Sequence, residues 1–279
     1  MPELPEVENT RRYLVEAGLI GRTFTRATIG WPNSLKQPDL EDFILGLPGH
    51  AVTQVERRGK YLLLSLDTDK TEETNATAAT LILHLGMTGG LRIYPKSVPT
   101  DPKVRHHFTL DDGRELRFVD PRKFGHIWLV DDPSGILPPF GPEPLEPGFT
   151  PQALAQQLRG HHAPIKAMLL EQSIVAGLGN LYADESLYRA GIHPLRPASG
   201  LSEPEQGRLR DSIVQSLTAA LDLYDRSRIE YAPLPPFALS TWTIPRKEGA
   251  SCPTCGATIC GIRVRGRGTF YCRGCQPEG

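Results

Sequence analysis

Cys252-Pro253-Thr254-Cys255 and, after sixteen intervening residues, Cys272-Arg273-Gly274-Cys275 stand near the end of the chain. Paired C-x2-C steps at this separation match the four-thiolate zinc spacing, each step placing two thiolates on one ion. Four thiolates close the coordination sphere and leave no position for substrate, so a single zinc ion here is expected to be structural. Disulfide pairing is the competing use; it is disfavoured in the reducing compartment expected for a chain without an export signal. The fifth cysteine, Cys260, is read as a non-ligand. The residues between the pairs read as a β-hairpin, with Thr269-Phe270-Tyr271 favouring strand and Gly266 and Gly268 favouring the turn between strands.

Within that hairpin Arg263, Arg265 and Arg267 alternate. Either they form a solvated basic tip, or strand alternation aims all three from one face at phosphate. From Arg246 to the end, six basic residues face two acidic ones, so this tail carries +4 and the remainder of the chain −5 out of a net −1. A basic tail on a mildly acidic body suits a protein that turns one face to a polyanion. The 279 residues, 39% hydrophobic and 23% charged, are ordinary for a globular protein of one large domain or two to three smaller ones. No stretch approaches the roughly 20 apolar residues of a membrane span. The acidic start is unlike a secretory signal. A cytoplasmic protein with no membrane contact is expected.

Residues 151–231 read as helical. Pro151 to Leu158 forms one short helix, and Pro164 to Glu171 a second, with proline suited to the first turn. Ser202 to Leu223 is longer and amphipathic, with Ser202 as N-cap and Glu205 completing a capping box. Between them Gly177-Leu178-Gly179-Asn180 either makes a tight helix–helix turn or lets a phosphate approach the N–H groups opening the next helix. Residues 20–130 read instead as short strands with little helix between them: 61–66, 79–85, 91–94, 108–110, 115–119 and 127–130, with Gly113 at a hairpin turn. That spacing suggests a β-sandwich, preceded by a helix over Val7 to Ala17. The class is α+β: a sandwich domain over 1–135, a helical domain over 150–231 and a hairpin zinc finger over 246–279.

Three stretches of the strand region carry candidate chemistry. Arg57-Arg58-Gly59-Lys60 puts three cations before an apolar strand. His84-Leu85-Gly86-Met87-Thr88-Gly89 sets an exposed methionine in a glycine-flanked loop, where it could fill the gap left by an extruded base. Asp120-Pro121-Arg122-Lys123-Phe124-Gly125 offers an arginine for an orphaned partner base and an aromatic wedge. Arg105, by its charge, is expected on phosphate. Each could equally be a core, edge or turn residue. The chain begins Met1-Pro2-Glu3-Leu4-Pro5-Glu6-Val7-Glu8. Removal of Met1 would expose the secondary amine of Pro2, a good nucleophile near neutral pH and able to form an iminium ion. Glu3 beside it is placed to move protons.

That opening octet resembles the start of the formamidopyrimidine-DNA glycosylases, bacterial enzymes that excise oxidised purines. The string Gly177-Leu178-Gly179-Asn180-Leu181-Tyr182-Ala183-Asp184-Glu185, followed by Ala190-Gly191-Ile192-His193-Pro194, resembles the helix-two-turn-helix element of the same family. Lys60, Met87, Arg122, Phe124 and the zinc finger match in order. The resemblance implies a bifunctional glycosylase and AP lyase of base excision repair, acting as a monomer on damaged double-stranded DNA. It makes Pro2 the nucleophile and Glu3 the acid/base. Lys60 and Arg267 would be catalytic as well, contacting phosphate and assisting elimination (Arg267 the second step); Asn180 would bind a phosphate, and Met87, Arg122 and Phe124 would fill the void. His84 and Lys166 would join the DNA-binding set, Lys166 with no defined role, and Glu6 would line the lesion pocket. Two other readings stay open: an endonuclease-VIII-like enzyme for oxidised pyrimidines, and a non-catalytic binder of damaged DNA. Residues 224–251 depart from the family pattern, because Pro233, Pro235 and Pro236 stand where a glycine-rich loop covers the damaged base. Lys123 stands where arginine is usual, and His162 where lysine often is.

Overall fold

The computed structural model describes residues 1–68, 78–226 and 242–278. Of the departing segment 224–251, residues 227–241, with the three prolines, lie outside the described residues. The chain forms two compact units: one of Met1–Pro2 and Glu6–Leu137, the other of Glu3–Pro5, Pro138–Arg226 and residues 242–278.

The first unit is mostly sheet. Its strands, among the described residues, are β1 (Phe24–Ile29), β2 (Leu35–Gln37), β3 (His50–Arg58), β4 (Tyr61–Thr68), β5 (Ala79–His84), β6 (Gly90–Pro95), β7 (Val104–Leu110), β8 (Arg114–Val119) and β9 (His126–Val130). They pair as a five-stranded sheet, β2-β9-β5-β4-β3, and a four-stranded sheet, β1-β7-β8-β6. On β4 the inward positions are Leu62, Leu64 and Leu66; on β8 they include Leu116 and Phe118. Both sets belong to one apolar cluster with Phe24, Leu81, Leu83 and Phe108, so the sheets share a core, as a sandwich requires. The expected strands are present, and β1, β2 and β3 add to them. Little helix is expected between the strands, and among the described residues of 20–130 it is one short α-helix, α2 (Leu40–Gly46), N-capped by Asp39 accepting from the Asp42 N–H at 3.0 Å. The leading helix α1 runs Leu4–Glu16, three residues earlier than Val7, because Pro5 falls in a first turn that needs no N–H from it.

The second unit holds helices α3 (Pro151–Leu158), α4 (Ile165–Leu169), α5 (Asn180–Ala190) and α6 (Glu203–Arg226), then strands β10 (Ile259–Val264) and β11 (Arg267–Cys272). Thr150 caps α3 by accepting from the Ala153 N–H at 3.1 Å. The Ser202 N–H donates to Glu205 at 2.8 Å, half of the expected capping box. Leu4, Phe149, Leu178, Leu187, Ile213 and Leu217 contribute to its core. The hairpin turn is Arg265-Gly266, with φ of 48° and 72°, the pair of positive values a two-residue type I′ turn requires. Gly268 is therefore a strand residue and not part of the turn. The single-face reading of the arginines fails for the same reason. Arg263 lies on β10, Arg265 at the bend and Arg267 on β11, and Arg263 pairs with Gly268 while Arg267 pairs with Val264.

Candidate active site and metal centre

Pro2 and Glu3 are both buried. The Glu3 side chain, 1% exposed, accepts the backbone N–H groups of Gly179 (2.8 Å), Leu181 (2.9 Å) and Tyr182 (3.3 Å). Those donors open α5, and a helix N-terminus is a natural seat for a carboxylate. The Leu4 N–H donates to Gly177 O at 3.0 Å, fastening the next residue as well. Both glycines are needed for this approach. A Cβ on Gly179 would stand 2.4 Å from the Glu3 carboxyl carbon, and one on Gly177, already at φ 81°, would stand 2.7 Å from the Leu4 Cβ. The phosphate reading of Gly-x-Gly is thus corrected: the helix N-terminus is taken by the protein's own carboxylate.

In the first unit, Lys60 is buried and follows Gly59 in the tight turn joining β3 to β4. Arg57, at the end of β3, donates to Gly59 O at 3.0 Å and to Glu8 of α1 at 3.2 Å. Glu8 also binds Arg11 and Arg12; burial pushes its carboxyl upward, but the Arg11 and Arg57 charges outweigh this and hold it below its ordinary value. Glu6 is buried. His84 ends β5, half-buried, its ring 4.9 Å from that of Tyr61. Burial, the neighbouring His126 and the Lys60 charge push the imidazole down to about 4, so it is neutral at physiological pH. Its Nδ1 accepts the Gly86 N–H at 3.2 Å, which leaves the proton on Nε2.

Met87 is half-buried rather than exposed, whereas Phe124 is 48% exposed and Arg122 is exposed, its guanidinium 5.1 Å from the Phe124 ring. One residue brings these loops together. Asp120, 1% exposed, accepts from Thr88 Oγ1 (3.1 Å), the Arg122 N–H (3.3 Å) and the Gly125 N–H (2.7 Å). Gly86 seals the contact, since a Cβ there would lie 2.4 Å from the Phe124 carbonyl carbon. Arg105 donates to the carbonyls of Asp120 (2.7 Å), Pro102 (3.1 Å) and Pro121 (3.3 Å), which makes it a brace of the same turn. Sequence reasoning passed over Asp120. Its signal was the Asp-Pro step, an ordinary mark of an Asx-type turn.

In the second unit, Arg267 is exposed and Asn180 half-buried, with Asn180 Nδ2 donating to Gly268 O at 3.1 Å. Lys166 is corrected from the DNA-binding set: it is 0% exposed and paired with Asp184 at 2.6 Å. Burial draws the Lys166 amine down and the Asp184 carboxyl up. His162 is hydrogen-bonded to Ser199 at 3.0 Å.

The four sulfurs of Cys252, Cys255, Cys272 and Cys275 lie within 4.8 Å of one another, and among the described residues no cysteine is disulfide-bonded. Two of the separations are 3.4 and 3.7 Å, near the ~3.8 Å edge of a tetrahedron with metal–sulfur bonds of about 2.3 Å. Gly274 leaves room for them: a Cβ there would stand 2.8 Å from the Cys255 sulfur. Such a set can hold a metal ion. Cys260 lies outside it.

The chain matches the formamidopyrimidine-DNA glycosylase N-terminal domain over residues 1–127 and the formamidopyrimidine-DNA glycosylase H2TH domain over residues 140–230. The formamidopyrimidine-DNA glycosylase of Symbiobacterium thermophilum is 41% identical over 299 residues, covering 99% of this chain and 90% of the relative. That of Geobacillus kaustophilus is 40% identical, covering 99% and 100%. Among solved structures, MutM (Fpg) of Thermus thermophilus superposes with a TM-score of 0.82 at 36% identity over the whole of both chains. Lactococcus lactis Fpg bound to DNA containing an abasic site gives 0.86 at 33% identity, and a point mutant of it bound to DNA containing Fapy-dG gives 0.85 at 33%, each covering 99% of this chain and 100% of the other. The chain is thus an α+β protein with the fold of these solved DNA-repair structures. It belongs to the formamidopyrimidine-DNA glycosylase family.

Proposed function

We propose that this protein is a bifunctional DNA glycosylase and AP lyase of base excision repair, acting as a monomer on double-stranded DNA that carries oxidised or ring-opened purines or abasic sites. The lesions held by the Lactococcus lactis relative support that choice. The observation that carries the reading is a buried carboxylate, Glu3, adjacent in sequence to a buried proline and held by three backbone donors.

The damaged nucleotide is flipped out, because the sugar carbon is unreachable in the stack. Met87, Arg122 and Phe124 fill the space it leaves, and Glu6 lines the pocket that receives it. The Pro2 nitrogen, freed by removal of Met1, attacks C1′; the C1′–N bond breaks and its electron pair leaves with the base. Glu3 delivers a proton to the ring oxygen, the ring opens and an iminium ion forms. The iminium acidifies the neighbouring C–H, so loss of that proton expels the 3′ phosphate, and a second elimination expels the 5′ phosphate. Lys60, Asn180 and Arg267 hold these phosphates, Lys60 and Arg267 assisting the eliminations, and the neutral His84 offers DNA a further donor, its Nε2–H.

The sulfur geometry fits zinc, and Cys252, Cys255, Cys272 and Cys275 would hold one ion, whose role is to fix the hairpin that carries Arg267. Three functional domains, over 1–135, 150–231 and 246–279, divide the work. Among the described residues no helix is long and apolar enough to cross a membrane. Action on DNA in the cytoplasm is part of the proposal.

Borohydride trapping tests the reading. Protein with Met1 shown to be absent is mixed with duplexes bearing 8-oxoguanine, formamidopyrimidine, an oxidised pyrimidine or an abasic site. The expected result is a covalent adduct, strongest on the purine lesions and abasic DNA and lost in Pro2→Gly. No adduct on any duplex would leave a damaged-DNA binder; an adduct chiefly on the pyrimidine would move the substrate class.

A further inference from the structure

Lys166 has no part in the chemistry above, yet it is one of the largest fully buried side chains. An ammonium has three donors and no acceptor. Here all three are engaged inside the second unit. Nζ pairs with Asp184 at 2.6 Å, donates to Thr269 Oγ1 at 2.6 Å and donates to Gly268 O at 3.3 Å. No donor is left for DNA. A buried ammonium is costly to desolvate, and a buried ion pair is weak evidence of stabilisation in itself. What these bonds do is fix backbone.

The backbone in question is the stretch beginning at Arg267. One edge of β11 pairs with β10. Of the groups not taken by that pairing, the Gly268 carbonyl accepts from Lys166 and also from Asn180 Nδ2 at 3.1 Å, and the Thr269 hydroxyl passes its own proton to Arg267 O at 3.1 Å. Asp184 extends the same clamp: it accepts the Phe270 N–H at 3.3 Å and pairs with Arg246 at 2.7 Å. Residues 267 to 270 are thereby tied to α4 through Lys166 and to α5 through Asn180 and Asp184. The side chains at the two ends of this clamp, Arg267 and Asn180, are those assigned to phosphate.

We propose that Lys166 is a positioning residue that, through Gly268 O and Thr269 Oγ1, holds Arg267 and Asn180 in the relative placement needed to grip DNA phosphate together. The proposal rests on the functional reading given above.

The test is a double-mutant comparison in the zinc-loaded, full-length protein, read as the salt dependence of binding to duplex DNA with an abasic-site analogue. Losing one phosphate contact should lower the slope of log K against log salt by about 0.9. Arg267→Ala is expected to do so directly. Lys166→Met is expected to lower the slope equally without touching DNA, and the double variant to lose less than about twofold further affinity, since both act on one contact. Thr269→Val, which leaves the Lys166–Asp184 pair in place, should move the slope in the same direction and decides the matter if Lys166→Met does not fold. Additive losses would mean an independent contribution from Lys166, and an unchanged slope in both Lys166→Met and Thr269→Val would mean a purely structural lysine; either overturns the proposal. Borohydride trapping by the wild type separates the two levels: absent trapping sinks the enzymatic reading, whereas normal trapping with additive or unchanged slopes sinks only the positioning role.

Discussion

Gly179→Ala isolates the seat of Glu3. Gly179 has φ −135° and ψ −160°, extended backbone that alanine adopts freely, so the substitution acts through its methyl group alone. That methyl would lie 2.4 Å from the Glu3 carboxyl carbon and 2.6 Å from Oε1, against backbone on one side and a fully buried carboxylate on the other. The carboxylate must leave its three N–H donors. Hydrogen bonds to charged groups are worth about 1.5–3 kcal/mol each, and part of this returns through rehydration and reorientation. A net loss of about 2–4 kcal/mol in unfolding free energy is expected. Glu3 would also lose its aim, and misplacing a general acid costs about 10²–10⁴-fold in rate. Urea unfolding gives the first quantity and single-turnover borohydride trapping on abasic DNA the second. A Gly179→Ala protein with wild-type stability and wild-type trapping would refute the claim that the glycine exists to admit Glu3.

Other perturbations have equally definite outcomes. Gly207→Ala lies within α6 with no atom within 4 Å of the added methyl, so it should raise stability by about 0.5–1 kcal/mol in urea melts and leave trapping unchanged. Asp120→Ala releases Thr88, Arg122 and Gly125 together; release of an intact damaged base should slow about tenfold or more, as expected when positioning is lost, while trapping on a preformed abasic site is largely kept. His84 titrates at about 4 in the folded chain against an ordinary 6.5, so the unfolded chain binds its proton first as pH falls. Its share of stability is therefore complete above about pH 6.5, is lost as pH drops from 6.5 towards 4, and amounts to roughly 3 kcal/mol. His84→Gln should flatten urea midpoints measured across that window, and an undiminished slope would show that His84 is not the group responsible.

What the sequence determined by itself was whatever depends on local spacing and residue type. The strands from Tyr61 to Val130 followed from short apolar runs set off by turn signals, the Ser202–Glu205 cap from a four-residue pattern, and the cysteine cluster from two C-x2-C steps whose geometry hardly depends on the rest of the fold. The opening Pro2-Glu3 pair and the glycine-rich Gly177–Asn180 string were each visible, but nothing in either says that one serves the other. Tertiary structure decided that, by bringing a carboxylate at residue 3 to amides at 179–182. It decided, too, that Lys166 points inward to Asp184 rather than outward to DNA, and that the hairpin arginines divide around a turn set by the positive φ of Arg265 and Gly266. The physical reason is common to all three. Burial, donor satisfaction and strand register are properties of groups far apart in the chain, and the energy that assigns a charged side chain to solvent or to an internal partner exists only once those groups have met.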